Sequence, residues 1–169
     1  MDTPHRIFVS YPRKRQNLAQ RLVDELTTNG FIVWWDRQLT AGDDWQAAIQ
    51  AAMAEADTLI ALVDQQAASR WQQTEWELLL QNHWNDPSKR IIPVLLGRTK
   101  VPGFLSEFQG IRIEHRKDWP KAVAELIRGI RGESLSDSPL LAFSREEYRE
   151  LRRQRLEYIG EVARQMKVQ

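Results

Sequence analysis

Apolar and polar positions along this chain follow two alternating periods. "RIFVSY" (6–11) is a short β-prone run. Leu18, Leu22 and Leu26 then repeat at the spacing of one helix face, with Gly30 where a helix would stop. "FIVWW" (31–35) is a second strand-like run, and Trp45, Ile49, Ala52, Met53 and Ala56 make a second helical stripe. "DTLIALVD" (57–64) is apolar through its middle, as a strand covered on both faces must be. "SRWQQTEWELLL" (69–80) reads as a helix, and "RIIPVLLG" (90–97) as a fourth strand. Pro93 offers no N–H to a ladder, which predicts an edge position or a bulge. "GIRI" (110–113) is a short fifth strand. "DWPKAVAELIRGIRG" (118–132) is a helix N-capped by Asp118, with Pro120 in its first turn and Gly132 near its stop.

Strands alternating with helices predict an α/β fold: a five-stranded parallel flavodoxin-like sheet in the order 2-1-3-4-5, flanked by helices, plus a C-terminal helix. The globular domain is expected over 1–132 and a Ser-rich linker with Pro139 over 133–143. In the last segment, 144–169, Ser144 and Glu147 make a capping-box pattern, and Tyr148, Leu151, Ile159, Val162 and Met166 recur at helical spacing. Either this helix packs on the domain or a neighbour, or it connects to a further domain. The run ends on "MKVQ" with no stop signal, which fits a truncated chain.

Composition narrows the chemistry. Of 169 residues 42% are hydrophobic, enough for a core. Lys+Arg number 24 and Asp+Glu 23, a net charge of +1, so there is no electrostatic case for nucleic acid or an anionic membrane. Cysteine is absent, which excludes disulfides, thiolate metal sites and a Cys nucleophile. His5, His83 and His115 are scattered without metal-ligand spacing, so no metal is expected. There is no apolar N-terminal leader and no run long enough to span a bilayer, which predicts a cytoplasmic protein. Walker A and GxGxxG motifs are missing, which disfavours a P-loop NTPase or an ordinary dinucleotide dehydrogenase.

In an open parallel sheet, ligands bind beyond the carboxyl ends of the strands, where the strand order reverses. Three loops converge there in the order 2-1-3-4-5: "SYPRKR" after the first strand, "DRQLTAGDDW" after the second and "DQQAAS" after the third. Ser69 and Gln72 form a capping box at the start of the next helix. Trp71 and Glu75 are four residues apart, on one helix face, roughly 6 Å apart at Cβ. Trp76 and Glu77 point elsewhere. Taken alone, a first-turn Trp more often packs than binds a ligand, and a lone helical Glu is most often solvated. A short basic loop such as Arg13-Lys14-Arg15 is usually just solvated.

Together these segments resemble a TIR (Toll/interleukin-1 receptor) domain of bacterial type, in the NAD⁺ hydrolase branch. The likeness runs over about 6–131. It is carried by "RIFVSY", "GFIVWWD", "LTAGDDWQAAI", "ADTLIALVD", "SRWQQTE", "RIIPVLLG" and "WPKAVAEL", in order and at matching spacing. The resemblance implies one of two roles. In one, the chain is an NAD⁺ glycohydrolase, cleaving the nicotinamide-ribose bond to nicotinamide and ADP-ribose or a cyclic isomer, activated by self-assembly in a prokaryotic antiviral defence system. In the other it is a non-catalytic scaffold for homotypic TIR-TIR assembly. Its partners would be NAD⁺, as substrate rather than cofactor, other TIR domains, and a sensor domain or protein joined through the C-terminal segment.

The family's S-x-W-x-x-x-E pattern falls on Ser69, Trp71 and Glu75. It implies Glu75 as the catalytic carboxylate, with Trp71, Ser69, Tyr11, Arg13 and Lys14 binding substrate. Trp35, Asp36, Leu39, Gly42, Asp43 and Trp45 match the BB loop, through which TIR domains assemble. Read from the residues alone, Trp35 is core, Asp36 a cap or loop anchor and Gly42 a turn. The chain departs from the family in two places. Pro12 and Arg15 stand where relatives have a small and then an acidic residue, and Asp64 stands where they often have Ser. Asp64 would either repel an anionic dinucleotide or cap a turn. A third possibility is a phosphoacceptor domain of the same sheet order. It lacks the acidic pair that it needs after the first strand, where this chain is basic.

Overall fold

The computed structural model describes residues 3–36, 42, 44–65, 86, 88–99, 108–133 and 145–167. Its strands are β1 (Arg6–Ser10), β2 (Ile32–Trp34), β3 (Thr58–Val63), β4 (Arg90–Leu96) and β5 (Ile111–Ile113). All pair in parallel, in the order β2-β1-β3-β4-β5. The expected fold class and strand order are therefore those of the protein. Among the described residues the helices are α1 (Gln16–Thr28), α2 (Trp45–Glu55), α3 (Trp119–Ile130) and α4 (Arg145–Lys167).

Strand periodicity splits the core in two. Ile7, Val9, Ile60, Leu62, Ile92 and Val94 face one side and bury Leu22 and Leu26 of α1 and Leu126 of α3. Phe8, Leu59, Ala61, Val63, Ile91 and Leu95 face the other and bury Ile49 and Met53 of α2. β3 is buried at all six positions because it has a strand on each edge and helices on both faces. Fully burying a side chain such as Leu26 contributes about 1.5–3 kcal/mol, so these two stripes fix which face each helix presents.

Helix ends are set by local chemistry. α1 ends before Gly30, whose φ of +90° reverses the chain, and the N–H of Phe31 returns to the Leu26 carbonyl at 3.2 Å. At the start of α2, the Asp44 carboxylate accepts from the Ala47 N–H at 3.2 Å. At its other end, Lys89 Nζ donates to the Met53 carbonyl at 2.8 Å and also to that of Ala54.

Two local expectations need correction. Pro93 lies on neither an edge strand nor a bulge: β4 runs between β3 and β5, and Pro93 is in register with Ala61. The proline is tolerated because β5 pairs only with Val94, Leu95 and Leu96. Beside Pro93 the β5 side is instead occupied by Gly110, packed so closely that an added Cβ would lie 2.2 Å from the Pro93 carbonyl oxygen. Asp118 does not cap α3 with its side chain. Its carboxylate accepts from the His115 N–H at 3.2 Å and closes the turn before the helix.

α4 spans 23 residues. Leu156, Tyr158, Ile159, Val162 and Met166 are exposed along it. Arg153 bridges Glu150 and Glu157, and its hydrogen bond holds the Glu150 carboxyl below the usual carboxylate range. Among the described residues no helix is long and apolar enough to cross a membrane.

Candidate functional site

The strand order reverses at β1, which has β2 on one side and β3 on the other. Tyr11, the residue following β1, is 3% exposed. Its ring tilts against Trp35 at 5.8 Å between centroids, and its hydroxyl donates to Asp36 Oδ1. Trp35, just past β2, is itself buried in the same core. The first loop is thus tied to the root of the second by an aromatic contact and a charge-assisted hydrogen bond. Pro12 then leads into a single turn of 3-10 helix at Arg13–Arg15, closed by the Arg15 N–H on the Pro12 carbonyl at 2.8 Å.

On the other flank of β1, Asp64 follows the last residue of β3. Its side chain is 6% exposed, and Arg15 Nε donates to Asp64 Oδ2 at 3.3 Å while the Arg15 side chain stays 51% exposed. A buried carboxylate needs a countercharge, and the basic turn after the adjacent strand supplies it. These two residues also flank a cleft along the carboxyl ends of β1, β3, β4 and β5, on the side of α1 and α3.

The TIR domain family model matches residues 7–127. The chain belongs to the TIR family. The NAD(+) hydrolase TcpC of Escherichia coli O6:H1 is 28% identical over 96 residues, covering 55% of this chain and 31% of that protein. The chain thus spans less than a third of that relative's length. Among solved structures, the TIR domain of the Toll-related receptor TRR-2 of Hydra magnipapillata superposes with a TM-score of 0.55 at 20% identity, over 74% of this chain and 97% of that one. The CMP N-glycosidase BcmB of Clostridium botulinum superposes with a TM-score of 0.54 at 19% identity, over 72% and 97%. These two likenesses are of fold.

Within this TIR domain the residues singled out by sequence separate. Tyr11, Trp35 and Asp36 come together, but as a packed and hydrogen-bonded knot. Arg13 and Lys14 stand exposed on the 3-10 turn, and Lys14 lines the cleft on the α1–α3 side. Tyr11 is buried, whereas Arg13 and Lys14 are exposed. Gly42 adopts φ +93°, a turn conformation that suits glycine. Trp45 opens α2, and its side chain lies outside the described residues. Ser69, Trp71 and Glu75, with Leu39 and Asp43, also lie outside them. Among the described residues no group of His, Asp and Glu could hold a metal ion.

Sequence reading missed the link between the two departures from the family pattern. Arg15 and Asp64 were each unusual alone; in the fold they are partners. One signal was available. An Asp ending an apolar central strand needs a cation, and the neighbouring strand leads into three of them.

Proposed function

We propose that this TIR domain is an NAD⁺ glycohydrolase. The observation that carries the reading is the Ser69-x-Trp71-x-x-x-Glu75 pattern in a TIR chain with partial likeness to an NAD(+) hydrolase. In the reaction the bond between nicotinamide nitrogen and ribose carbon breaks, and the ring keeps the electron pair. It leaves neutral, so no general acid is needed. Water adds its oxygen to the ribose carbon and releases a proton, giving ADP-ribose; in the cyclic product an adenine nitrogen of the same molecule takes the place of water. The transition state is oxocarbenium-like. Glu75 stabilises its positive charge or binds the ribose hydroxyls, and Trp71 stacks on a flat ring of the substrate. No cofactor or metal takes part. The BcmB fold neighbour is named for cleaving an N-glycosidic bond in another nucleotide, which is compatible with this chemistry on this fold. The setting is a cytoplasmic, prokaryotic defence system in which self-assembly raises activity.

A second reading is the assembly scaffold. It is favoured by the exposed apolar side chains on α4. One experiment separates the two. The chain and its Glu75→Gln twin are incubated with NAD⁺ at high protein concentration with a crowding agent, and nicotinamide is followed by chromatography. Release by the parent alone supports the hydrolase and Glu75. Equal release by both removes Glu75 from the mechanism. No release by either, in protein that sedimentation shows to be assembled, leaves the scaffold.

A further inference from the structure

We propose that the cleft on the α1–α3 side of the strand ends is a binding site for the phosphate or pyrophosphate group of a soluble ligand, with Arg15 as its oriented receptor. The inference uses none of Ser69, Trp71 and Glu75 and does not depend on the hydrolase reading.

Among the described residues, four cations line this cleft from three segments of the chain: Lys14 and Arg15 from the turn after β1, Arg21 from α1, and Arg116 from the turn before α3. Two acids among the described residues oppose them, Asp64 and Glu114. The cleft measures about 840 Å³, room for a pyrophosphate and more. Both α1 and α3 begin beside it, so their positive dipole ends add to the same field.

Charge alone would describe any basic surface. The buried carboxylate makes this one different. Asp64 takes the Nε of Arg15 and leaves the two terminal nitrogens for a second acceptor. A guanidinium held this way is a preformed fork for phosphate oxygens, and less freedom is lost when it binds. Arg21 is held too: its guanidinium carbon lies 4.8 Å from the centre of the Trp119 ring, and its Nε lies 3.8 Å from Glu25. Trp119 Nε1 donates to the same Glu25 carboxylate at 3.0 Å. The cleft therefore has one arginine set by a buried acid and another set by a buried ring, with Arg116 on the facing rim.

The probe is inorganic pyrophosphate, titrated calorimetrically into the whole chain with sulfate at matched ionic strength as control. It is not a substrate of the proposed hydrolase, so this test and the nicotinamide assay fail independently. The expected result is saturable pyrophosphate binding that sulfate does not match, weakened roughly tenfold or more by Arg15→Gln or by Arg116→Gln, the loss of a charge-assisted contact. Asp64→Asn supplies the deciding sign. It removes a negative charge beside the cleft, so a merely basic surface would bind pyrophosphate more tightly. Loss of the Arg15 anchor makes binding several-fold weaker instead. If Asp64→Asn melts too early to titrate, Arg15→Lys replaces it. Lysine keeps the charge without the planar fork, and weaker binding is again expected. Tighter binding by Asp64→Asn, unchanged binding by Arg15→Lys, or indifference to both glutamine variants overturns the proposal. So does capture of the chain by vesicles carrying a phosphoinositide with no binding of the free anion, which would assign the phosphate to a lipid surface.

Discussion

Tyr11 offers the sharpest test of how the site is built, because two roles for it predict different measurements. As a substrate contact, its loss would raise the KM for NAD⁺ and leave stability alone. As the knot between the first and second loops, its hydroxyl serves Asp36, and Tyr11→Phe would cost stability. A hydrogen bond to a charged group contributes about 1.5–3 kcal/mol. Asp36 is only half-buried, so water recovers part of that and the lower end applies, about 1–2 kcal/mol. The ring stays, so its packing on Trp35 is kept and no cavity forms. The assay is a double-mutant cycle of Tyr11→Phe with Asp36→Asn, by urea unfolding, with KM measured on the same proteins. The expected coupling is about 1 kcal/mol or more, with a fall in Tm of roughly 2–8 °C for the single variant. Coupling below about 0.3 kcal/mol, within the error of additivity, would refute the knot. A raised KM at unchanged stability would return Tyr11 to the substrate.

Other substitutions test the frame that carries the site. Gly110→Ala drives a methyl into the Pro93 carbonyl at 2.2 Å, so β5 must shift, and a loss of roughly 1–3 kcal/mol is expected in urea unfolding. Asp44→Ala removes the cap of α2 and is expected to cost about 1 kcal/mol, read as a lower unfolding midpoint at unchanged m. Met53→Ala empties a fully buried position under β3 and should cost about 2–5 kcal/mol; a loss below 1 kcal/mol would mean that the α2 face collapses to fill the space.

The elements of this TIR domain were legible in its sequence because they rest on local periodicity. The Leu18, Leu22, Leu26 stripe and the glycine after it define α1, and the unbroken apolar run of β3 marks a strand buried on both faces, from residues close along the chain. The pattern that names Glu75 was equally local, three residues within one short segment of the sequence, and its position in space lies outside the described residues. Pro93 was misread because its effect depends on where β5 begins, and no property of "RIIPVLLG" encodes that. The roles of Tyr11, Arg15 and Asp64 came only from tertiary structure. Their partners lie 25 and 49 residues away along the chain, and a charge or hydroxyl gains its meaning from what the fold sets beside it when water is excluded. Sequence reading left Asp64 as either a threat to an anionic ligand or the cap of a turn. Folding places Arg15 over it, and the same acid becomes the anchor of a cation at the mouth of the cleft.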